Sequence, residues 1–192
     1  MIYKKDKLII DGFDISSLVK KYKTPIYCYF LKRIKDNVQN FKNHFKNISP
    51  LICYAVKANS NLGILKEIKR LNLGADVVSG GELMKALNAG IKPKKIVFSG
   101  VGKTAEEIEY AIRKKILLIN AESKSEILEI EKIARRKRKN VNIGIRLNPN
   151  TDAKTLNQIS TGKKENKFGV DQKVFLQLVN YFSLYFCYSF YF

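Results

Sequence analysis

Lys57 is the residue of this sequence best placed to do covalent chemistry. It follows Leu51–Val56, an apolar run whose β-branched residues favour a strand buried on both faces. Asn59, Ser60 and Asn61 come next and can cap a following helix. A lysine at the carboxyl end of a parallel strand lies at the mouth of an α/β barrel, where partial desolvation leaves an amine able to form a Schiff base. The alternative is an ordinary lysine that extends from the strand end into solvent.

Two acidic residues and one arginine occupy similar positions further along the chain. Asp76 lies in a predicted strand, and no local motif explains a carboxylate there. Glu82 completes a capping box that begins at Ser79, so it has a structural explanation as well as a functional one. Arg146 lies near the end of a predicted strand, where its fixed fork of donors could bind an anionic group or organise carboxylates. An exposed arginine is the alternative for Arg146.

The segment Ser99-Gly100-Val101-Gly102-Lys103-Thr104 is similar in composition to a phosphate-binding loop. The P-loop pattern requires a glycine at position 97, where this chain has Val97. No acidic strand end offers a magnesium ligand in compensation. The nucleotide-loop hypothesis is therefore weak, and the glycines serve either packing or the close approach of a ligand.

Short apolar strands alternate with amphipathic helices over most of the chain. The predicted strands are residues 25–29, 51–56, 75–78, 95–99, 116–119 and 141–147. The predicted helices are residues 31–46, 62–71, 81–88, 105–114 and 124–137, and three of them begin at capping boxes, at Ser79, Thr104 and Ser123. This alternation predicts parallel β/α units of the α/β class. The six strands are two fewer than a closed barrel requires.

The sequence predicts three segments. Residues 1–24 contain a short strand at Lys7–Ile10, a turn, and a small helix at Asp14–Tyr22. Residues 25–174 form the β/α units. Residues 175–192 carry no charge and nine Phe or Tyr residues, and we interpret them as an aberrant aromatic tail, from a truncated or frame-shifted gene. A transmembrane helix is disfavoured there by the short length and the polar residues.

The net charge of +19 raises the question of a nucleic-acid or membrane partner. The basic residues are spread along the chain, and the densest run, Arg135–Lys139, closes a predicted helix where cations favour the dipole. We therefore predict neither partner. No signal peptide is evident and no Cys-x-x-Cys pair occurs, so a reduced cytoplasm is expected. The single histidine, His44, has no acid or cysteine placed to make a metal site with it.

Five segments resemble the pyridoxal-phosphate-dependent decarboxylases that have an alanine-racemase-like barrel, and among them the diaminopimelate decarboxylases. The resemblance covers roughly residues 3–174. The matching segments are Tyr54–Asn59, Ala75–Leu83, Phe98–Lys103, Ile143–Pro149 and Ile159–Val170, the last with the pattern Ser-Thr-Gly…Lys-Phe-Gly.

The resemblance implies a fold and a set of roles. The fold would be an incomplete TIM-type (β/α)8 barrel, preceded by a strand that in the family belongs to a second β domain. Lys57 would be catalytic and would bind pyridoxal 5'-phosphate covalently, with Asp76, Glu82 and Arg146 as further cofactor-binding residues and no metal. The reaction would be decarboxylation of meso-2,6-diaminopimelate, a small-molecule amino-acid substrate, to L-lysine. A homodimer is expected for the full-length family member.

The chain also departs from the family pattern. The family's Thr-His-Pro-Tyr stands here as Thr155-Leu156-Asn157-Gln158, and no histidine follows His44. The family's Gly-rich and Arg-bearing phosphate loops, and the glutamate that pairs with the pyridine nitrogen, would lie beyond residue 192. We therefore expect these 192 residues to be inactive or barely active alone. The alternative function is a barrel remnant that binds pyridoxal phosphate or a partner chain without turnover.

Overall fold

The structure is a computed structural model, and it describes residues 2–45, 47–151 and 168–185, the last four of these by their backbone alone. Two compact units are present, residues 1–50 and 51–192. Several features of the sequence analysis lie outside the described residues: Lys46, Thr155–Gln158, Ile159–Lys167 and the end of the aromatic tail. The predicted boundary after residue 24 and the aberrant nature of the tail stay predictions.

The first unit contains a small antiparallel sheet and two helices. Its strands β1 (Ile2–Lys4), β2 (Lys7–Ile10) and β3 (Phe13–Asp14) pair in chain order. Helix α1 (Ile15–Tyr22) is capped by Asp14, whose carboxylate accepts a hydrogen bond from the Ser16 N–H at 2.9 Å. Helix α2 spans Leu31–Asn43. The predicted strand at Lys7–Ile10 and the predicted helix after it are confirmed, and β1 and β3 are additional.

The predicted strand at residues 25–29 is wrong. This stretch has no regular secondary structure and joins no ladder within the described residues. A strand needs a neighbouring strand to take up its N–H and C=O groups, and Pro25 has no N–H to give. An apolar and aromatic composition after Pro25 therefore did not suffice to make a strand here.

The second unit is built on a five-stranded parallel sheet in which spatial order follows chain order. The strands are β4 (Cys53–Ala55), β5 (Gly74–Val77), β6 (Ile96–Phe98), β7 (Leu118–Ala121) and β8 (Ile143–Ile145). The helices are α3 (Leu62–Arg70), α4 (Gly80–Asn88), α5 (Ala105–Lys114), α6 (Lys124–Lys137) and α7 (Gln172–Tyr185). Short 3₁₀ turns occupy Val56–Ala58 and Pro93–Lys95. This architecture confirms the predicted α/β class and the partial barrel.

The two faces of this sheet differ. Residues of one face are fully buried and form the core together with buried residues of α3 to α6; on the strands they are Ala75, Val77, Ile96, Phe98, Ile119 and Ala121. Because side chains alternate along a strand, the intervening residues project from the other face. That second face carries half-buried polar side chains, among them Asp76, Ser99 and Asn120. The core thus fixes the strands, and the polar face is left for function.

Most element boundaries agree with the sequence, and the exceptions have local causes. Strand β7 starts two residues later than predicted, because the Ile116 N–H bonds back to the Ala111 carbonyl and closes α5. Helix α4 ends before Gly90, whose φ of +85° gives the predicted left-handed cap. Helix α7 includes the first part of the predicted aromatic tail and buries Leu178. Within the described residues no helix is long and apolar enough to cross a membrane.

Gly74 of β5 lies between Cys53 of β4 and the carbonyl of Lys95, which directly precedes β6, and these two groups leave no room for a side chain. A Cβ at this position would overlap the Lys95 carbonyl oxygen and lie 2.7 Å from Cys53 Sγ. We expect Gly74→Ala to lower the free energy of unfolding by about 1–3 kcal/mol, because backbone must move to admit the methyl group. Urea unfolding followed by circular dichroism measures the difference.

Gly81→Ala is the matched control, because its added Cβ lies in the first turn of α4 with Ser79 Oγ nearest, at 3.9 Å. That variant should be neutral or slightly stabilising, since alanine favours a helix over glycine. Equal stability of the two variants would contradict the close packing described at Gly74.

Candidate functional site

Lys57 lies in the 3₁₀ turn Val56–Ala58 rather than at the end of a strand, because β4 ends at Ala55. Its side chain is exposed and forms no hydrogen bond with the described residues. The desolvation expected from the sequence is therefore wrong for the described chain. The turn contacts β5 and α4, and so it lies at the carboxyl end of the sheet.

The loop after this turn is held by side chains. Tyr54 Oη donates to the Asn59 carbonyl at 3.2 Å, and burial raises the pKa of the Tyr54 phenol. Asn61 caps α3 by accepting a hydrogen bond from the Gly63 N–H at 2.8 Å, as predicted. The peptide groups around Lys57 are thus fixed while its ammonium group is free.

Asp76 lies one strand away from Lys57 at the same edge of the sheet. Strand register places it directly beside Ala55, two residues before Lys57. Its Oδ1 accepts a hydrogen bond of 2.6 Å from Ser99 Oγ, which in turn accepts one of 3.1 Å from Asn120 Nδ2. Sequence reasoning missed Ser99 and Asn120. The available signal was a polar residue at the end of two predicted apolar strands.

Glu82 has a structural role in this chain. Its Oε2 accepts a hydrogen bond from the Val78 N–H at 2.9 Å, and its own N–H donates to Ser79 Oγ. The predicted capping box is therefore incomplete, because the carboxylate reaches Val78 instead of the Ser79 N–H. Glu126 does the same with the Glu122 N–H, and only the box at Thr104 is reciprocal. No hydrogen bond links Glu82 to Lys57 or Asp76.

Arg146 organises a buried carboxylate, which was one of the alternatives drawn from the sequence. Its Nη1 lies 2.9 Å from Oε1 of Glu122, which is only 5% exposed. The second oxygen of Glu122 accepts a hydrogen bond from the Gly169 N–H, and the guanidinium stacks 4.8 Å from the centre of the Phe168 ring. Sequence reasoning missed Glu122, because the predicted strand ended at residue 119, whereas β7 extends to Ala121, directly before Glu122.

Lys103 is the most buried charged side chain at this edge, with 1% exposure. Its ammonium donates to the carbonyls of Gly100 and Asn120 and to Glu126 Oε1, at 2.6–2.7 Å. An ammonium group has three protons, so all of its donors are used within the protein. The Lys103 ammonium therefore has no proton left to donate to a phosphate, which argues against the nucleotide-loop hypothesis.

Glu107 links two neighbouring loops at the same edge. Its carboxylate accepts hydrogen bonds from the N–H groups of Gly80, at 2.6 Å, and Thr104, at 2.9 Å. Partial burial acts to raise the pKa of Glu107, but these hydrogen bonds outweigh it and hold the pKa below its usual value. The carboxylate is thereby favoured in its ionised form.

Cys53 lies on β4, the strand next to Asp76, two residues before Ala55, which pairs with Asp76. Its half-buried Sγ lies 3.8 Å from the carbonyl oxygen of Lys95. Burial raises the pKa of the Cys53 thiol, and the negative charge of Asp76 adds to the effect, while Lys95 opposes it. Within the described residues no group of three or more His, Cys, Asp or Glu side chains is placed to hold a metal ion.

Comparison with known proteins links this chain to one family. The family model described as the pyridoxal binding domain of pyridoxal-dependent decarboxylases matches residues 31–183. A diaminopimelate decarboxylase of Helicobacter pylori is 54% identical over 166 residues, which are 86% of this chain and 41% of the relative. That of Campylobacter jejuni is 48% identical over 158 residues, 82% of this chain and 39% of the relative. The chain thus spans about two fifths of the length of these relatives.

Solved structures agree. The Helicobacter pylori diaminopimelate decarboxylase complexed with L-lysine has a TM-score of 0.86 and 50% identity, covering 88% of this chain and 43% of that one. The enzyme from M. jannaschii has a TM-score of 0.86 and 38% identity, covering 96% and 44%. A Chlorella virus arginine decarboxylase, at 21% identity and a TM-score of 0.71 over 88% and 43%, shares the fold.

Removing the buried ammonium should destabilise the chain strongly. We expect Lys103→Met to lower the free energy of unfolding by about 3–5 kcal/mol, because it leaves the Glu126 carboxylate without its cation. Lys132→Met is the control, since its pair with Glu129 is on the surface at 3.5 Å and should be worth about 0–1 kcal/mol. Urea unfolding of both variants measures the difference. Similar small losses in the free energy of unfolding would contradict the stabilising role of the buried pair of Lys103 and Glu126.

Glu107 should stabilise the fold only while it is ionised. Its lowered pKa means that the contribution is present above the ordinary value of 4.5 and is lost as the pH falls through the folded-state value. We expect Glu107→Gln to reduce stability at pH 7 and to cost less at pH 3, measured by urea unfolding at both values. Glu106→Gln, next to it and exposed, should show a smaller dependence; equal pH profiles would contradict the role of Glu107.

Proposed function

Because the chain belongs to the pyridoxal-dependent decarboxylase family, through its pyridoxal binding domain, we propose that it is the cofactor-anchoring part of a diaminopimelate decarboxylase. The reaction proposed is the decarboxylation of meso-2,6-diaminopimelate to L-lysine. The observation that carries the proposal is the free Lys57 ammonium on a turn beside Asp76, at the carboxyl edge of a parallel sheet. The names of the most similar relatives, and the lysine in the Helicobacter pylori complex, support the choice of substrate.

The residues of this edge fit pyridoxal phosphate. An aldehyde cofactor needs a primary amine with no competing partner, and Lys57 is such a residue among those described. Asp76 Oδ1 is occupied by Ser99, whereas its Oδ2 accepts no hydrogen bond within the described chain. When bound, the cofactor supplies an electron sink for the charge left by a departing carboxylate.

The four predicted site residues would share the work unequally. Lys57 would hold the cofactor covalently, and Asp76 would offer a carboxylate oxygen beside it. Glu82 would fix the start of α4 through the Val78 N–H and add negative charge nearby. Arg146 would act through Glu122, whose Oε1 it holds in place at 2.9 Å.

Turnover by these 192 residues alone is expected to be absent or very low. Catalysis of this kind requires that water be excluded from the reacting amine. The described residues leave Lys57 exposed and therefore do not exclude water from it. A homodimer of a full-length enzyme is part of the proposal. A barrel that binds cofactor or a partner chain without turnover is the second candidate, favoured by the same exposure.

Trapping of the cofactor on Lys57 tests the proposal. The purified chain is incubated with a low, roughly stoichiometric concentration of pyridoxal phosphate, reduced with borohydride to a stable secondary amine, and mapped by peptide mass spectrometry. We expect label on Lys57 well above that on other exposed lysines, because the Asp76 carboxylate on the neighbouring strand would help to hold the cofactor there. Diaminopimelate is then added to an unreduced sample, and released carbon dioxide is measured.

Lys57→Arg is the matched control, because it keeps the charge but has no condensing amine, and it should lose the selective label. Label spread evenly over surface lysines would overturn both candidate functions that involve the cofactor. Selective label with no carbon dioxide is the expected result for the chain alone. Rapid release of carbon dioxide would contradict the expected lack of activity.

A further inference from the structure

Three polar side chains form a hydrogen-bonded row across the carboxyl edge of β5, β6 and β7. Register pairs Asp76 with Val97 and Val97 with Leu118. Ser99 and Asn120 each follow those partners by two residues, and side chains two apart share a face. Asp76, Ser99 and Asn120 therefore project from the same face of the sheet, which is the face away from the helix-covered core.

The hydrogen bonds in this row run in one direction. Asn120 Nδ2 donates to Ser99 Oγ at 3.1 Å, and Ser99 Oγ donates its single proton to Asp76 Oδ1 at 2.6 Å. A hydroxyl that already accepts from an amide is free to direct its proton to the carboxylate. The Ser99 hydroxyl thereby joins the amide of Asn120 to one oxygen of Asp76.

The far end of the row is anchored. The Asn120 carbonyl accepts a hydrogen bond from the buried Lys103 ammonium, so the backbone at this position is fixed. On the other side, Gly144 pairs with Asn120, and a Cβ there would overlap Asn120 Oδ1. Lys103 thus fixes the main chain of Asn120, and the side-chain amide of Asn120 lies against the bare backbone of Gly144 in β8.

We propose that Ser99 and Asn120 are positioning residues that hold Asp76 Oδ1 and leave Oδ2 directed to a ligand at the Lys57 turn. The part that concerns the ligand rests on the proposed function, whereas the part that concerns Asp76 does not. Neither Ser99 nor Asn120 need touch the ligand. Their effect is to keep the carboxylate from rotating into solvent.

Cys53 provides a reporter of the Asp76 carboxylate that needs no cofactor. The groups that act on its thiol are Asp76, which raises the pKa, and Lys95, which lowers it. The alkylation rate of Cys53 by iodoacetamide is followed against pH by peptide mass spectrometry, with exposed Cys28 as an internal standard. Asp76→Asn should move the Cys53 profile to lower pH, because the repulsion of the thiolate is removed.

The variants at position 99 then decide the proposal. Ser99→Ala should move the Cys53 profile in the same direction by a smaller amount, because the released carboxylate turns towards water. Ser99→Thr keeps the hydroxyl and should restore the original profile. In the Asp76→Asn background, Ser99→Ala should add nothing. Asn120→Ala, which removes the donor to Ser99, gives a second route if Ser99→Ala is poorly folded.

Several results would overturn the inference. An unchanged profile in Asp76→Asn would refute the placement of the carboxylate beside Cys53. An unchanged profile in both Ser99→Ala and Asn120→Ala, or an effect of Ser99→Ala that persists without the carboxylate, would refute positioning through Asp76.

Labelling of Lys57 by pyridoxal phosphate gives a second readout, which is independent of the Cys53 profiles. Ser99→Ala should weaken selective labelling of Lys57 by pyridoxal phosphate about tenfold, the scale of one hydrogen bond to a charged group, and Ser99→Thr should retain it. If wild-type Lys57 takes no label, the proposed function fails, while the Cys53 profiles still decide whether Ser99 and Asn120 hold Asp76.

Discussion

The buried ammonium of Lys103 is the constraint on which the carboxyl edge of the sheet depends. A charge removed from water must be matched by acceptors, and Lys103 has three. Two are backbone carbonyls of the loop after β6 and of strand β7, and the third is Glu126 at the start of α6. The requirement therefore ties a loop, a strand and a helix start together. Glu126 extends the connection to the Glu122 N–H, from which Arg146 and Gly169 are reached.

The carboxyl edge of the sheet is consequently held together more tightly on one side than on the other. Around β6, β7 and β8, the buried pair of Lys103 with Glu126 and the pair of Arg146 with the buried Glu122 fix each loop to the next. Around β4, the contacts are the weaker hydrogen bonds of Tyr54 to Asn59 and of Lys85 to Ser60. The exposed amine of Lys57, the proposed cofactor anchor, lies on this less constrained side. A rigid support beside an accessible amine would suit a site that must admit a cofactor and hold the neighbouring side chains in place.

The sequence predicted helices better than strands, and the reasons are physical. Helix α5 and helix α6 match their predicted ranges because Thr104 and Ser123 cap them locally. Strand limits depend on a neighbour, as the failed strand after Pro25 and the late start of β7 show. Arg146 could be placed near the mouth from sequence, but its partner Glu122 is 24 residues earlier and becomes visible only through the register of β7 and β8. The row from Asn120 to Asp76 is hidden for the same reason.

The chain-ordered sheet also bears on how the fold is reached during synthesis. Each parallel strand pairs with the one made about twenty residues earlier, as with Cys53 and Gly74 or Val97 and Leu118. Such short loops close with modest entropic cost and give a low contact order for a parallel sheet. A growing polypeptide can therefore add one β/α unit at a time on the ribosome. The ion pair between Lys103 and Glu126 can form only after Glu126 has emerged from the ribosome. The carboxyl edge of the sheet is therefore fixed late in synthesis.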